Sequence, residues 1–307
     1  MDSDERLAGF RKEIDETDAA LNELFHKRMR TAEKIAEAKA ESRAPAEDRD
    51  REKEVIEKAV SAADIDLKKE TESFFRTLIS FSKIRQSEKR GLSGTFGELP
   101  FSSEDSVISA GWTSENGSQS RKAAEAMFAG SVFMPYDSCD GVIEAVKHNE
   151  IGRGVFKADN SPGSPAVQIY SLLEVSSCFV TDEVYTEESL SSDSPGKKTG
   201  IAGGSMPHES RHIAAAAHLV CREDCDTVLA SLCVPETAGA LNAVLQIFIL
   251  CGIDIKRIEP GKDSQDGSTY YVQLHADYRD ENIRCMLAHA AAQCAGFRIL
   301  GCYTAEK

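Results

Sequence analysis

No apolar run in the sequence approaches the roughly 18 to 20 residues that a membrane span needs. The chain does not open on a basic region followed by an apolar stretch either; its start, MDSDERLAGF, is acidic. Both absences argue against membrane insertion and secretion, and a cytoplasmic protein is expected. No CxxC pair occurs among the nine cysteines, Cys139, Cys178, Cys221, Cys225, Cys233, Cys251, Cys285, Cys294 and Cys302, and no histidine stands at zinc-site spacing. An odd count without pairing reads as reduced core thiols in a reducing compartment, with no metal site expected. Positive charge is scarce as well, and unevenly so. Residues 1–90 hold 20 Lys and Arg against 22 Asp and Glu, whereas the rest holds 16 against 29, for a net charge of -15. Such a chain is a poor partner for nucleic acid, yet its nearly neutral first segment can accommodate a small dianion.

What is present is ordinary for folded protein: 307 residues, 41% hydrophobic and 28% charged, enough for two or three domains. Between residues 4 and 40 there is no proline and only Gly9. Leu7, Phe10, Ile14, Leu21, Leu24, Phe25, Ala32, Ile35 and Ala36 recur there at three- and four-residue steps. That spacing predicts one long amphipathic helix. Pro45 breaks it, Asp48 is placed to cap a second helix carrying Val55, Ile56 and Val60, and a third follows Asp64 with Leu67, Phe74, Phe75, Leu78, Ile79 and Phe81. Helices of such unequal length cannot bury the far end of the longest, so an intertwined dimer is expected.

A connector without sustained periodicity, residues 91–106, separates this bundle from a different texture. From Val107, the stretches VISAGW, SVFMPY and RGVFKA read as strands, and SRKAAEAMF and CDGVIEAVKHN between them as helices, an alternation that predicts βαβ units. Residues 188–208 read as an exposed Ser/Gly/Pro-rich loop. Beyond Cys225 the order becomes β-α-β-β-α-β, the ferredoxin-like pattern. The expected architecture is multidomain: an all-α three-helix unit at 1–90, a linker at 91–106, an α/β region at 107–224 and an α+β unit at 225–307.

Within the bundle stands a set of polar residues where apolar ones would otherwise serve: Arg11, Arg28, Lys39, Asp48, Arg51, Glu52, Ser82 and Gln86. The step from Arg28 to Lys39 is 11 residues, close to three whole helical turns, so these two cations share one stripe, with Arg11 on the same helix 17 residues before Arg28. Cations on a core-bearing stripe call for anionic company. Arg30, Lys34 and Arg49, by contrast, read as solvated surface charge.

These residues, carried on FRKEIDETDAAL, FHKRMRTAEKIAEAKA, DRDREKEVIEKAV and FFRTLISFSKIRQ, resemble the AroQ-type chorismate mutases, in particular the mutase domain of the bifunctional P-proteins of phenylalanine synthesis. The resemblance implies that the substrate is chorismate and the product prephenate, with no cofactor. It implies that Arg11 from the partner subunit and Arg28 hold the two substrate carboxylates, and that Lys39 and Gln86 bond the ether oxygen. Glu52 and Asp48 then take the substrate hydroxyl and neighbouring backbone, and Arg51 and Ser82 complete the wall.

Further on, AGWTSENGSQSRKAAEAMF and VFKADNSPGSPAVQIYSLL are similar to parts of the prephenate dehydratase domain that follows the mutase in that family. Gly117, Ser118, Gln119 and Ser120 stand at its glycine-rich turn, Asp159, Asn160 and Ser161 at its acidic-Asn-Ser motif, and Ser210, Arg211 and His212 at its Thr-Arg-Phe motif. Two departures stand out: serine replaces the threonine, and too few residues separate Thr181 from Ser210 for a second lobe. His212 is read as structural. The last segment resembles an ACT domain, with Gly239, Ala240 and Leu241 at the effector motif and Glu259 at the second one, which implies L-phenylalanine as effector. Three functions follow: a mutase regulated through an ACT domain, a bifunctional mutase and dehydratase making phenylpyruvate, or a non-catalytic amino-acid-binding regulator.

Overall fold

Forty residues without a proline, Ser3–Ser42, form a single helix α1, about 60 Å long at 1.5 Å per residue. The computed structural model describes residues 3–42, 48–89, 107–114, 117–158, 165–187, 209–237 and 239–305. Arg49–Ala62 form α2, capped by Asp48, whose side chain accepts a hydrogen bond from the Arg51 backbone N–H at 3.0 Å. Lys68–Lys89 form α3, which packs against both others. The junction with α1 holds the edge-to-face pair Phe25 and Phe81, 5.6 Å between ring centres, together with buried Met29, Ala32, Ala36, Ile79 and Ile84. Burial stops there. Leu7, Phe10, Ile14, Leu21 and Leu24, on the amino-terminal half of α1, are 47 to 62% exposed.

By contact density the chain divides into two compact units, Met1–Thr95 with Arg284–His289, and Phe96–Ile283 with Ala290–Lys307. The second is built on a nine-stranded sheet. Its first part consists of βαβ units: β1 (Ser109–Thr113), α4 (Gly117–Met127), β2 (Val132–Tyr136), α5 (Cys139–Lys147) and β3 (Arg153–Lys157), with β1 between β2 and β3 and parallel to both. Three elements that the hydrophobic pattern did not announce follow: α6 (Pro165–Ser176) and the antiparallel pair β4 (Phe179–Glu187) and β5 (Glu209–Ala216). The predicted loop at 188–208 and the connector at 91–106 lie outside the described residues.

The remaining strands, β6 (Thr227–Val234), β7 (Asp254–Pro260), β8 (Ser268–His275) and β9 (Gly296–Tyr303), alternate with α7 (Ala240–Leu250) and α8 (Glu281–Ala292). They lie in the order β9-β6-β8-β7, all antiparallel, the ferredoxin-like arrangement expected from the element order. Both faces of β6 are covered, since Leu229 joins the core of β3, α5 and α6 while its neighbours Val228 and Ala230 are also fully buried. Doubly covered strands lose the alternating pattern and become continuously apolar, as TVLASLCV is.

The two parts of the sheet meet at one bridge, Val180 to Gly301, beside bulges in both β4 and β9. A Cβ at Gly301 would lie 2.8 Å from the Val180 Cβ and against its carbonyl, so only glycine fits that approach. A buried polar clasp braces the same corner. Arg211 on β5 donates to Glu183 on β4 at 2.5 Å and to the Tyr170 hydroxyl on α6 at 2.7 Å, and Gln273 on β8 donates to the other Glu183 oxygen at 3.1 Å. Arg257 on β7 reaches the Tyr185 hydroxyl at 3.3 Å, and Glu259 lies 3.8 Å from Arg211 and 3.7 Å from Arg257. Burial pushes the Glu259 carboxyl above its ordinary range, the two arginines opposing that shift only in part.

Two outcomes follow. Gly301→Ala should destabilise the sheet unit by about 1–3 kcal/mol through overpacking, read by urea denaturation at the single tryptophan, Trp112 of β1. A carboxyl with a raised folded-state pKa contributes stability below its unfolded value and loses it as pH rises through the folded value. Glu259→Gln should therefore stabilise this unit at neutral pH, the gain vanishing below about pH 4; denaturation midpoints that shift equally at both pH values would contradict it.

Candidate active site of the helical unit and candidate ligand sites of the sheet unit

In the bundle, α3 gathers residues from the other two helices. Arg28, on the inward stripe of α1, is half-buried; its guanidinium donates to the Leu78 carbonyl at 2.5 Å and to the Ser82 hydroxyl. Ser82 is itself buried and donates to the Leu78 carbonyl at 3.0 Å. Burial lowers the Arg28 pKa, which remains far above neutrality for a guanidinium, so a fixed positive charge stands partly out of water. Such a charge favours an anionic ligand strongly, because screening by solvent is reduced.

Glu52, in the first turn of α2, is half-buried and lies 3.3 Å from the Lys83 ammonium of α3. It lines a cavity of about 480 Å³ between α2 and α3 that also has Ile56, Val60 and Arg76 in its wall. Lys39, in the last turn of α1, and Gln86 on α3 are half-buried. Arg11 stands on the exposed half of α1. Asp48 is committed to capping α2, and the exposed Arg51 guanidinium pairs with Glu54 at 2.5 Å. Arg28 and Ser82 are thus brought into contact, Glu52 joins them through α3, and Arg11 and Arg51 point into solvent. Sequence reasoning missed Lys83 and the Leu78 carbonyl: a lysine in a charged helix carries no mark of burial, and a backbone acceptor has no residue type.

In the sheet unit, the carboxyl ends of β1 and β3 and the start of α4 bring polar groups together. Thr113, Ser120 and His212 are fully buried, and Lys157 donates to Gln119 at 3.4 Å. Ser120 Oγ has no hydrogen-bond partner among the described residues. Crevices outside the carboxyl ends of parallel strands are where open α/β sheets bind ligands. Gly117 and Ser118 begin α4, so this stretch is a helix start, while Asp159, Asn160 and Ser161 lie outside the described residues. Ser210 and Arg211 are buried within β5, and Arg211 is enclosed by the clasp at 2% exposure.

Gly239, Ala240 and Leu241 open α7 and line a cavity of about 400 Å³ with Pro235, Thr237 and Tyr270. Gly239 has φ of 83°, a left-handed conformation that side-chain-bearing residues rarely adopt, which explains a glycine at the helix entrance. A helix amino terminus facing a cavity suits an anionic group. Glu259 is not in that wall; its carboxylate sits with Arg211 and Arg257.

Residues 10–87 match the chorismate mutase type II family. Among solved structures, the prephenate dehydratase from Streptococcus mutans is similar at 16% identity and a TM-score of 0.50, over 66% of this chain and 100% of that one. The prephenate dehydratase from Arthrobacter aurescens in complex with L-Phe is similar at 14% identity and a TM-score of 0.51, over 64% of this chain and 90% of that one. GqqA, described as a novel type of quorum quenching acylase, shares the fold at 16% identity and a TM-score of 0.52, over 65% of this chain and 96% of that one. No curated protein matches the chain. Coverage of about two thirds exceeds what the helical unit could supply, so the shared fold is that of the sheet region. Residues 10–87 are therefore a chorismate mutase type II domain, followed in the same chain by an α/β sheet region with the fold of the prephenate dehydratases.

Proposed function

We propose that the helical unit rearranges chorismate to prephenate in aromatic amino-acid synthesis in the cytoplasm. The observation that carries this reading is the half-buried Arg28 guanidinium held by α3 on the stripe that leads to Lys39, within residues that match the mutase family. The reaction is an intramolecular shift in which a carbon–carbon bond forms as an ether C–O bond breaks. It needs no nucleophile, metal or cofactor, only a folded substrate conformer and relief of negative charge growing on the ether oxygen. Arg28 and Arg11 suit the two carboxylates, being planar forks of donors. Lys39 and Gln86 are assigned the ether oxygen, and Glu52 a substrate hydroxyl. Lys39 meets charge that exists mainly in the transition state, so its effect falls on the rate constant.

The second half of the site comes from a second copy of the chain. Leu7, Phe10, Ile14, Leu21 and Leu24 form an apolar stripe left bare on a helix that ought to bury it, and Arg11 lies on the same stretch. An intertwined dimer covers the stripe and carries Arg11 to the partner's site. The four strands β6 to β9 with α7 and α8 are read as an ACT-type module, and the cavity at Gly239, Ala240 and Leu241 as its site for an amino-acid effector, with L-phenylalanine the first ligand to test.

A bifunctional mutase and dehydratase is the second reading, favoured by the fold of the sheet unit and by the buried, unpartnered Ser120 hydroxyl at the carboxyl end of β1. Enclosure of Arg211 in the clasp weighs against it, since an assisted loss of hydroxyl and carbon dioxide requires a donor that substrate can reach. Phenylpyruvate formed from prephenate would establish this reading. A non-catalytic regulator, the third reading, predicts phenylalanine binding without any chorismate turnover.

Loss of chorismate absorbance should proceed with the unaltered chain and fall about 10²–10³-fold in kcat for Lys39→Ala, the cost of one donor to a developing oxyanion. No turnover by the unaltered chain, or equal turnover by both, would overturn the mutase reading. The double variant Phe10→Glu, Ile14→Glu should run as a monomer by size exclusion with light scattering and lose turnover with it; an active monomer would remove the shared-site model.

A further inference from the structure

Two neighbouring residues of α3 reach toward different helices. Ser82 receives the Arg28 guanidinium from α1, and the next residue, Lys83, places its ammonium 3.3 Å from Glu52 Oε1 on α2. Successive helical residues point about 100° apart, so one turn of α3 is able to brace both. Exposure separates this ion pair from the pairs formed along single helices of the bundle; the pair of Arg85 on α3 with Glu33 on α1, 49% and 25% exposed, also joins two helices. The Lys83 and Glu52 side chains are 18% and 29% exposed, against 79% and 69% for Lys12 with Glu16 and 76% and 65% for Lys53 with Glu57. The latter are i,i+4 pairs along one helix, which contribute little beyond local helix support. Lys83 and Glu52 instead join two helices, and they do so where solvent screening is reduced.

The pair also has a direction. It engages Oε1 of a carboxylate that lines the cavity between α2 and α3, which leaves Oε2 as an acceptor. Glu52 belongs to the first turn of α2, whose start is fixed by the Asp48 cap. Its backbone is therefore anchored by Asp48 and its carboxylate by Lys83, so little rotamer freedom remains to be lost when a ligand hydroxyl arrives.

We propose that Lys83 is a positioning residue for the mutase reaction, its ammonium fixing Glu52 Oε1 so that the other carboxylate oxygen accepts the hydroxyl of the substrate ring. The inference rests on the mutase reading of Glu52. A hydroxyl contact of this kind is made equally in the bound substrate and in the transition state, so its loss appears in KM and not in kcat.

Steady-state kinetics of the full chain on chorismate test it, with Lys83→Met, Lys83→Arg, Glu52→Gln and the Lys83→Met, Glu52→Gln double variant. Lys83→Met should raise KM about five- to tenfold with kcat within about twofold, and Lys83→Arg should restore KM to within about twofold. In the Glu52→Gln background Lys83→Met should add less than about twofold, because the group through which it acts is already altered. An unmoved KM, or the same rise in both backgrounds, would overturn the inference while leaving the mutase reading intact. Absence of turnover in the unaltered chain would overturn both. Should circular dichroism show that Lys83→Met loses helix, Lys83→Gln carries the same test with a polar side chain of similar length.

Discussion

A forty-residue helix has more apolar face than partners of 14 and 22 residues are able to cover. That mismatch governs the helical unit. The carboxyl-terminal half of α1 is clothed by α3 and becomes the place where Arg28, Ser82 and Lys39 are held, while the amino-terminal half keeps Phe10, Ile14 and Leu24 in water. Burying apolar surface contributes roughly 25 cal/mol per Å², so a bare stripe of five large side chains is a strong drive toward association. The same stretch bears Arg11, which links the reading of assembly to the reading of catalysis: a second copy of the chain laid over the stripe would bring its own Arg11 with it.

The helical unit manages its buried charge differently from the sheet unit. Arg28 and Glu52 are half-buried and each is held by α3, and Glu52 also lines the cavity between α2 and α3. Arg211 and Glu183 are shut in, with Tyr170 and Gln273 as their further partners. A half-open charge with one side satisfied is available for recognition; a closed network is spent on holding elements in register. This contrast favours chemistry in the helices and a mainly architectural role for Arg211, although its place in the sequence matches a catalytic motif. Fold similarity to dehydratases at 14 to 16% identity does not alter that, since the same fold carries sites of different kinds.

At the corner of the nine-stranded sheet a single bridge suffices because other contacts cross beside it. Gly301 lets β9 approach Val180 on β4, and the clasp of Arg211, Glu183 and Gln273 ties β4 and β5 to β8. Tyr271 on β8 adds a ring contact with Tyr170, 5.2 Å between centres, and a hydrogen bond to Glu174 on α6 at 3.2 Å. The ferredoxin-like strands are thereby joined to the βαβ part by side chains more than by strand pairing.

By itself the sequence determined the periodic elements: α1 from its proline-free repeat, the α2 cap at Asp48, the β1-α4-β2-α5-β3 alternation and the final β-α-β-β-α-β order. It also supplied the identities of the polar residues on the bundle, because Arg28 and Ser82 depart from an apolar stripe that local spacing defines. It did not announce α6, β4 and β5, whose apolar and polar residues serve two different covers and therefore follow no simple period. Only the tertiary structure decided which charges are open and which are closed. Lys83 and Arg211 are ordinary cations in the sequence, and their roles depend on partners 31 and 28 residues distant, Glu52 and Glu183. Desolvation acts on a group in three dimensions, so the identity of a charge is written locally and its use is not.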